Sequence, residues 1–234
     1  ASTSLVTVLA NADVIASATE DFEGSYALDR GTGWRRGDDL EANDYFLVEE
    51  LWHPSPQTPT QTLMNGPNAT SRGHSWLTTP ALAIGAQPVT VRFKHRYQFE
   101  SSSMTQWDGA YVEVSEDGQQ TWTQVTTVVP AYSGTISTTT PQGRPSTNPS
   151  AGQAAWVGTS NGYPAFLTQT LNLGTRYANK TIHLRFVIAT DANGGRTGWD
   201  LDDVEVAGLS STPFTQRVAD RQQCVNRPPT LEAG

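Results

Sequence analysis

Three aspartates, Asp200, Asp202 and Asp203, stand inside GWDLDDVEVAG, a segment that otherwise reads as the closing strand of a β-sheet. Aspartate is depleted from strands, so three in succession need a reason. With Leu201 inward, Trp199 and Asp203 share its side, but Val204 and Val206 fall on the opposite one. That slip in alternation predicts a β-bulge, or a strand covered on both faces, at Asp202 and Asp203. A bulge would aim two carboxylates into one space, where they repel unless something positive lies among them. A hard cation, an arginine such as Arg96 or Arg185, and plain exposure to water are the three open outcomes. Calcium takes six to eight oxygens at about 2.3–2.6 Å without strict geometry, which suits carboxylates on irregular loops. Asp21 and Glu23 in EDFEGS and Asp108 in QWDGA lie where a glycine lets the backbone turn, and they complete the candidate ligand set for Ca2+.

Other chemistry finds less support. His53, His74, His95 and His183 are scattered and form no HExxH, so a metalloprotease centre is not expected. Neither a cysteine cluster nor a His pair favours zinc, and no G-x-S-x-G elbow occurs. His95 falls on the apolar face of its strand, which fits a core histidine better than a base. Paired carboxylates serve glycosidases, but Asp200, Asp202 and Asp203 are so close in sequence that a metal cluster explains them better. Trp34, Trp52, Trp76, Trp107, Trp156 and Tyr163 sit in loops or at strand ends, where rings could form a platform for sugars or peptides. The competing expectation, which we favour, is that most of them plug the open ends of a sandwich. Arg35, Arg36 and Arg144 could instead engage an acidic ligand.

The elements that must position these residues are strands. PVTVRFKHRYQFE alternates with period two, turning Val89, Val91, Phe93, His95, Tyr97 and Phe99 one way and the polar residues the other. KTIHLRFVIAT repeats the pattern, burying Ile182, Leu184, Phe186 and Ile188 and presenting His183 and Arg185. AYVEVSEDGQQTWTQVTTVV reads as a hairpin turning at Asp117-Gly118. SWLTTPALAI is a further strand, with Pro80 favouring an edge or a bulge. Weaker candidates are residues 5–16, 44–52 and 165–173. Residues 131–155, rich in Pro, Gly, Ser and Thr, are expected to form one long surface loop unable to pack a core. About eight or nine strands joined by long crossings predict an all-β fold, a two-sheet jelly-roll β-sandwich.

The 234 residues suffice for one large β domain, assigned to 1–208, with 209–234 as a tail and linker towards a following domain. The formal charge of −8 argues against nucleic acid and anionic membranes as partners. No apolar run of about 18 residues is present, and the first residues lack the layout of a signal peptide. A single cysteine, Cys224, excludes an internal disulfide. Abundant Thr, Ser, Gly, Pro and Asn, with almost no lysine, suit a secreted, extracellular bacterial sandwich.

EDFEGS, SWLTTPALAI, FKHRYQFE, WDGAYVEVSEDGQQTW, NPSAGQAAWVGTSNGYPAF, HLRFVIATD and GWDLDDVEVAG occur in the order seen in one family of modules. Over about residues 20–208 the chain resembles the calcium-binding jelly-roll modules, MAM-like and carbohydrate-binding-module-like, that follow the catalytic domains of secreted fungalysin-like and immune-inhibitor-A-like metalloproteases. The closing NRPPTLEAG resembles the start of a polycystic-kidney-disease-type domain. The resemblance implies a calcium-stabilised, non-catalytic accessory module whose partners are neighbouring domains and a protein or polysaccharide substrate. It matches Glu23 to the family's FEG glutamate, Asp108 to the aspartate of its YDGG hairpin, and Asp202 and Asp203 to its DDV. Ala110 and Gln119 depart from the family's glycines, which bears on turn geometry more than on the carboxylates. A lectin-like module and a stand-alone hydrolase are the alternatives.

Overall fold

The computed structural model describes residues 17–23, 28, 33–39 and 51–214. The strand expectation for 5–16, most of that for 44–52, and residues 215–234 of the tail with Cys224 lie outside these residues. Fifteen strands occur among the described residues, in two antiparallel sheets packed as a jelly-roll sandwich. The first sheet runs β10 (Val128–Val129), β13 (Leu167–Gly174), β7 (Val89–Gln98), β15 (Arg196–Ala207), β4 (Gln61–Asn68) and β3 (His53–Thr58), with β1 (Ser17–Glu20) also paired to β15. The second runs β11 (Gly134–Thr135), β12 (Ala154–Val157), β8 (Gly109–Ser115), β14 (Thr181–Thr190), β5 (Gly73–Thr78) and β2 (Arg35–Asp38). Its short partners are β6 (Leu82–Ala83) on β14 and β9 (Thr123–Gln124) on β8. No helix among the described residues is long and apolar enough to cross a membrane.

Where the sequence alternates cleanly, the strands follow it. On β7 the inward residues are Val89, Val91, Phe93, His95 and Tyr97, and they meet Ile182, Leu184, Phe186 and Ile188 of β14 across the sandwich core. The rings interlock edge to face: Phe93 on Phe186 at 5.4 Å, Trp52 on Trp199 at 5.5 Å. The Asp117-Gly118 reversal also forms, with Asp117 Oδ1 accepting the N–H groups of Gln120 and Thr121 and the hydroxyl of Ser115. Gly118 and Gln119 both take φ near +72° there. The slip in β15 is a true bulge, since its register against β7 shifts between Asp202 and Glu205 and Asp203 has φ +48°. The bulge lets Trp199, Leu201, Val204 and Val206 all reach the core.

Three expectations are corrected. Residues 131–155 are largely exposed and irregular, as expected, but they do pack: they lie on the outer face of the second sheet and bury Ile136 with Tyr111, Val187 and Ala189 in a separate small cluster. A polar segment can do this because its side chains satisfy backbone groups. Asn148 Nδ2 donates to the carbonyls of Trp107 and Ala189, and Ser150 Oγ meets the Tyr111 hydroxyl at 2.8 Å. Arg185 on the same face is also buried rather than presented to water, with Glu113, Asp39 and the Trp122 ring around its guanidinium. The β3–β4 hairpin was not anticipated, because Pro54, Pro56 and Pro67 speak against strands; β3 tolerates its prolines as an edge. The packed body also runs past Gly208, since Leu209 bridges Ile84 and Phe214 stacks on Trp34 at 5.9 Å.

Candidate functional site

The acidic residues do not form one constellation. Asp200, next to the bulge, is held by a guanidinium: Arg96 Nε donates to Oδ2 at 2.7 Å and Asn65 Nδ2 to Oδ1 at 2.7 Å. Arg96 also lies over the Phe166 ring at 4.7 Å. Asp200 therefore belongs to an ion pair and leaves the candidate ligand set. Asp203 takes Lys94 Nζ at 2.6 Å, and Asp202 Oδ1 accepts the N–H of Asp203 at 2.8 Å. Pairing of β1 with β15, Glu20 opposite Val204, brings Glu23 to this place. Burial pushes the Asp202 carboxyl up to about 6, with the charges of Asp203 and Glu23 adding to it. Burial likewise raises Glu23, whose Oε2 accepts the Thr62 N–H, and repulsion from Asp21 and Asp203 adds to it. Asp21 itself is exposed, its Oδ1 accepting the Glu23 N–H.

Asp108 is elsewhere. It immediately precedes β8 and is fully buried, with Asn68 Nδ2 donating to Oδ2 at 2.7 Å and the Asp191 N–H to Oδ1 at 2.8 Å. Asn68 Oδ1 accepts the Glu100 N–H, which places this group beside Glu100. From Lys94 to Glu100 is roughly 20 Å at about 3.3 Å per residue, so Asp108 and Asp202 are far apart. Burial with only amide donors pushes the Asp108 carboxyl up to about 7. Among the described residues no group of three or more His, Cys, Asp or Glu side chains is disposed to hold a metal ion. Glu23, Asp202 and Asp203 offer the charge that calcium wants, but not as placed its shell of six to eight oxygens.

A fourth acidic group lies on the outer face of the second sheet, where Glu113 is buried and Asp39 is partly exposed. Arg185 donates through Nε to Glu113 at 2.5 Å and through Nη1 to Asp39 at 2.8 Å, and its guanidinium lies 4.5 Å over the Trp122 ring. Asp39 also takes the indole N–H of Trp76 and faces His74 Nδ1 at 3.1 Å. Although burial opposes it, these partners, His74 first, hold the Asp39 carboxyl down to about 2.

The expected aromatic platform breaks up in the same way. Trp34 and Trp52 are fully buried core residues and cannot meet a ligand, because the sandwich closes over their rings. Trp107 and Tyr163 are half-buried, Tyr163 bonding Thr197 through its hydroxyl at 3.3 Å. Trp156 is the exception in placement: its buried ring floors a cleft of about 470 Å³. That volume lies within the range of about 300–1,000 Å³ usual for small-molecule sites.

The cleft opens at the sandwich edge, where the chain crosses between sheets. Residues 130–133 lead from β10 to β11, and residues 158–166 lead from β12 back to β13. The second crossing is strapped to β7 by Phe99 N–H to Gly158 O, Ser160 N–H to Tyr97 O, and Tyr97 N–H to Ser160 Oγ. His95, Tyr97, Trp156 and Gln169 form the floor. Ala131, Ser133, Thr159, Asn161 and Thr168 form an exposed rim. His95 Nδ1 accepts the Trp199 indole N–H at 3.2 Å, so the neutral ring carries its proton on Nε2. Burial lowers this imidazole to about 3, keeping it neutral. Gln169 Nε2 donates to Pro130 O at 2.7 Å. The lining is uncharged, with rings below and amides and hydroxyls around them. Sequence reasoning placed His95 in the core and Trp156 on a surface; Gln169, Thr159 and Asn161 carried no signal, because they converge from separate segments.

No family model matches the chain, and comparison with curated proteins finds no match. Among solved structures it is similar to the K1 cleaved adhesin domain of Lys-gingipain from Porphyromonas gingivalis W83, at 14% identity and TM-score 0.45, covering 82% of this chain and 98% of that one. It is also similar to TmCBM61 in complex with β-1,4-galactotriose, at 12% identity and TM-score 0.39, covering 74% and 86%. A third likeness is to the carbohydrate-binding module CBM6cm-2 from Cellvibrio mixtus lichenase 5A in complex with cellotriose, at 12% identity and TM-score 0.30, covering 70% and 90%.

Proposed function

We propose that this chain is a non-catalytic, extracellular binding module of a larger secreted protein, and that it takes a carbohydrate in the edge cleft. The observation that carries the reading is the composition of that cleft: the rings of Trp156 and Tyr97 below a rim of neutral hydrogen-bonding groups. Sugars present an apolar face and a girdle of hydroxyls, which such a lining complements. Neither candidate nucleophile nor base is set up for chemistry: Ser133 Oγ bonds the N–H and carbonyl of Val157, and His95 is neutral with Nδ1 bonded to Trp199. This arrangement supports binding in preference to turnover. Glycan-array screening followed by calorimetry tests it, with Ala131→Trp, a change at the exposed rim, expected to abolish binding while leaving the fold intact. A blank array would overturn the reading. Attachment to a metalloprotease, which the family resemblance implies, is tested by looking for HExxH in the flanking sequence.

Calcium is the second element of this proposal, favoured by the mutual repulsion of Glu23, Asp202 and Asp203. An ion bound only by the native state at a hundredfold above Kd adds about 2.7 kcal/mol. Melting with calcium and with EGTA tests it; an unchanged Tm would overturn the calcium site.

A further inference from the structure

We propose that the edge cleft selects an uncharged sugar, with the His95 Nε2–H and the Gln169 amide oxygen as the buried donor and acceptor that read its hydroxyls. The inference rests on the binding reading above and specifies its ligand class. Both side chains are almost entirely buried, at 1% and 2% exposure, yet each keeps one polar atom with no protein partner among the described residues. For His95 that atom is Nε2, since Nδ1 faces Trp199, which lies in the core and does not line the cleft. For Gln169 it is the amide oxygen, since the amide nitrogen is held by Pro130 O on the rim. Both residues line the cleft, where water or a ligand hydroxyl can complete these atoms.

Charge decides the class. The alternation of β7 sends His95 and Tyr97 into the cleft and Arg92, Lys94 and Arg96 to the opposite face of the sheet. Arg96 and Lys94 are moreover engaged with Asp200 and Asp203. Around the His95 ring stand Phe93, Tyr97, Trp156 and Trp199, none of them charged at neutral pH. A uronate or sialate carboxylate entering here would lose its hydration with no cation to replace it, which is strongly unfavourable. Sugar hydroxyls, which both accept and donate, suit the His95 donor and the Gln169 acceptor without any charge.

The test is calorimetric titration of the full chain with neutral hexose oligosaccharides and their uronic-acid counterparts, joined to ¹⁵N NMR of the imidazole. Neutral sugars should bind at least tenfold tighter than uronates, and binding should shift the His95 Nε2 resonance. His95→Phe should weaken binding about tenfold or more, the scale expected for one buried hydrogen bond. Ala131→Trp, on the exposed rim, tests the location independently should His95→Phe disturb the core. Uronates bound as tightly as neutral sugars would overturn the selection and leave the binding reading standing. A sugar that binds without moving the His95 signal, and is indifferent to Ala131→Trp, would overturn the location. Failure of every sugar to bind would remove the binding reading and this inference together.

Discussion

Asp39 and Asp108 are the same residue in two regions of one molecule, and they behave as opposites. At the solvent-facing side of the second sheet, His74, Arg185 and Trp76 bring the partly exposed Asp39 down to about 2. Just before β8, Asp108 has only amide donors, and burial, with the charges of Asp191 and Glu100 adding to it, carries it up to about 7. Two things differ: Asp108 is fully buried whereas the Asp39 side chain is 41% exposed, and only Asp39 has a cation among its donors. An amide satisfies a carboxylate's lone pairs without repaying the loss of hydration of its charge. Counting aspartates in a sequence therefore says little about charge until the register of distant strands is known.

The sharpest way to break the comparison is to remove the cation. Arg185→Ala leaves the buried Glu113 carboxylate uncompensated and should cost about 3–5 kcal/mol in chemical denaturation. If the cost is under about 1 kcal/mol, the ion pair is not what holds that face.

Titration separates the two aspartates by sign. Asp108 binds its proton more tightly when folded than its ordinary 3.8, so its contribution is full at low pH and is lost as pH rises through about 7. Asp39 is depressed, so its contribution is present above about 3.8 and lost as pH falls through about 2. His95, lowered from 6.5 to about 3, loses stability as pH falls below 6.5 and so opposes Asp108 over much of the range. Comparing Asp108→Asn with the parent isolates the term: the parent should lose roughly 3 kcal/mol more than the variant between pH 4 and pH 8. Parallel stability curves for the two proteins would show that Asp108 stays charged throughout.

Arg96→Ala probes a partly exposed version of the same pairing and should cost about 2 kcal/mol, since Asp200 keeps Asn65 and some water. Lys94→Ala should cost less than about 1 kcal/mol, because this ion pair lies largely in solvent. A larger loss at Lys94 would mean that the bulge carboxylates depend on it.

Much of the scaffold is legible in the sequence where the signal is local. The alternation in β7 and β14, the Asp117-Gly118 reversal and the slip at Asp202-Asp203 each depend on a few neighbouring residues, and each appears where expected. Long-range partnerships were not legible. Asp200 finding Arg96, and Asp203 finding Lys94, follow from the register of β15 on β7, two segments about a hundred residues apart. Residues 131–155 misled for a different reason: composition marks their polarity but not the side-chain bonds from Asn148 and Ser150 that let a polar segment lie flat on apolar neighbours. The cleft was invisible because its floor draws on three strands, β7, β12 and β13, and its rim on the crossings between sheets.

That shared floor has a mechanical side. His95 and Gln169 belong to one layer of the sandwich and Trp156 to the other, so a molecule seated between them acts as a rivet through the seam. Prising the layers apart must first expel the occupant, and a saturated module should therefore resist stretching and proteolytic opening longer than an empty one.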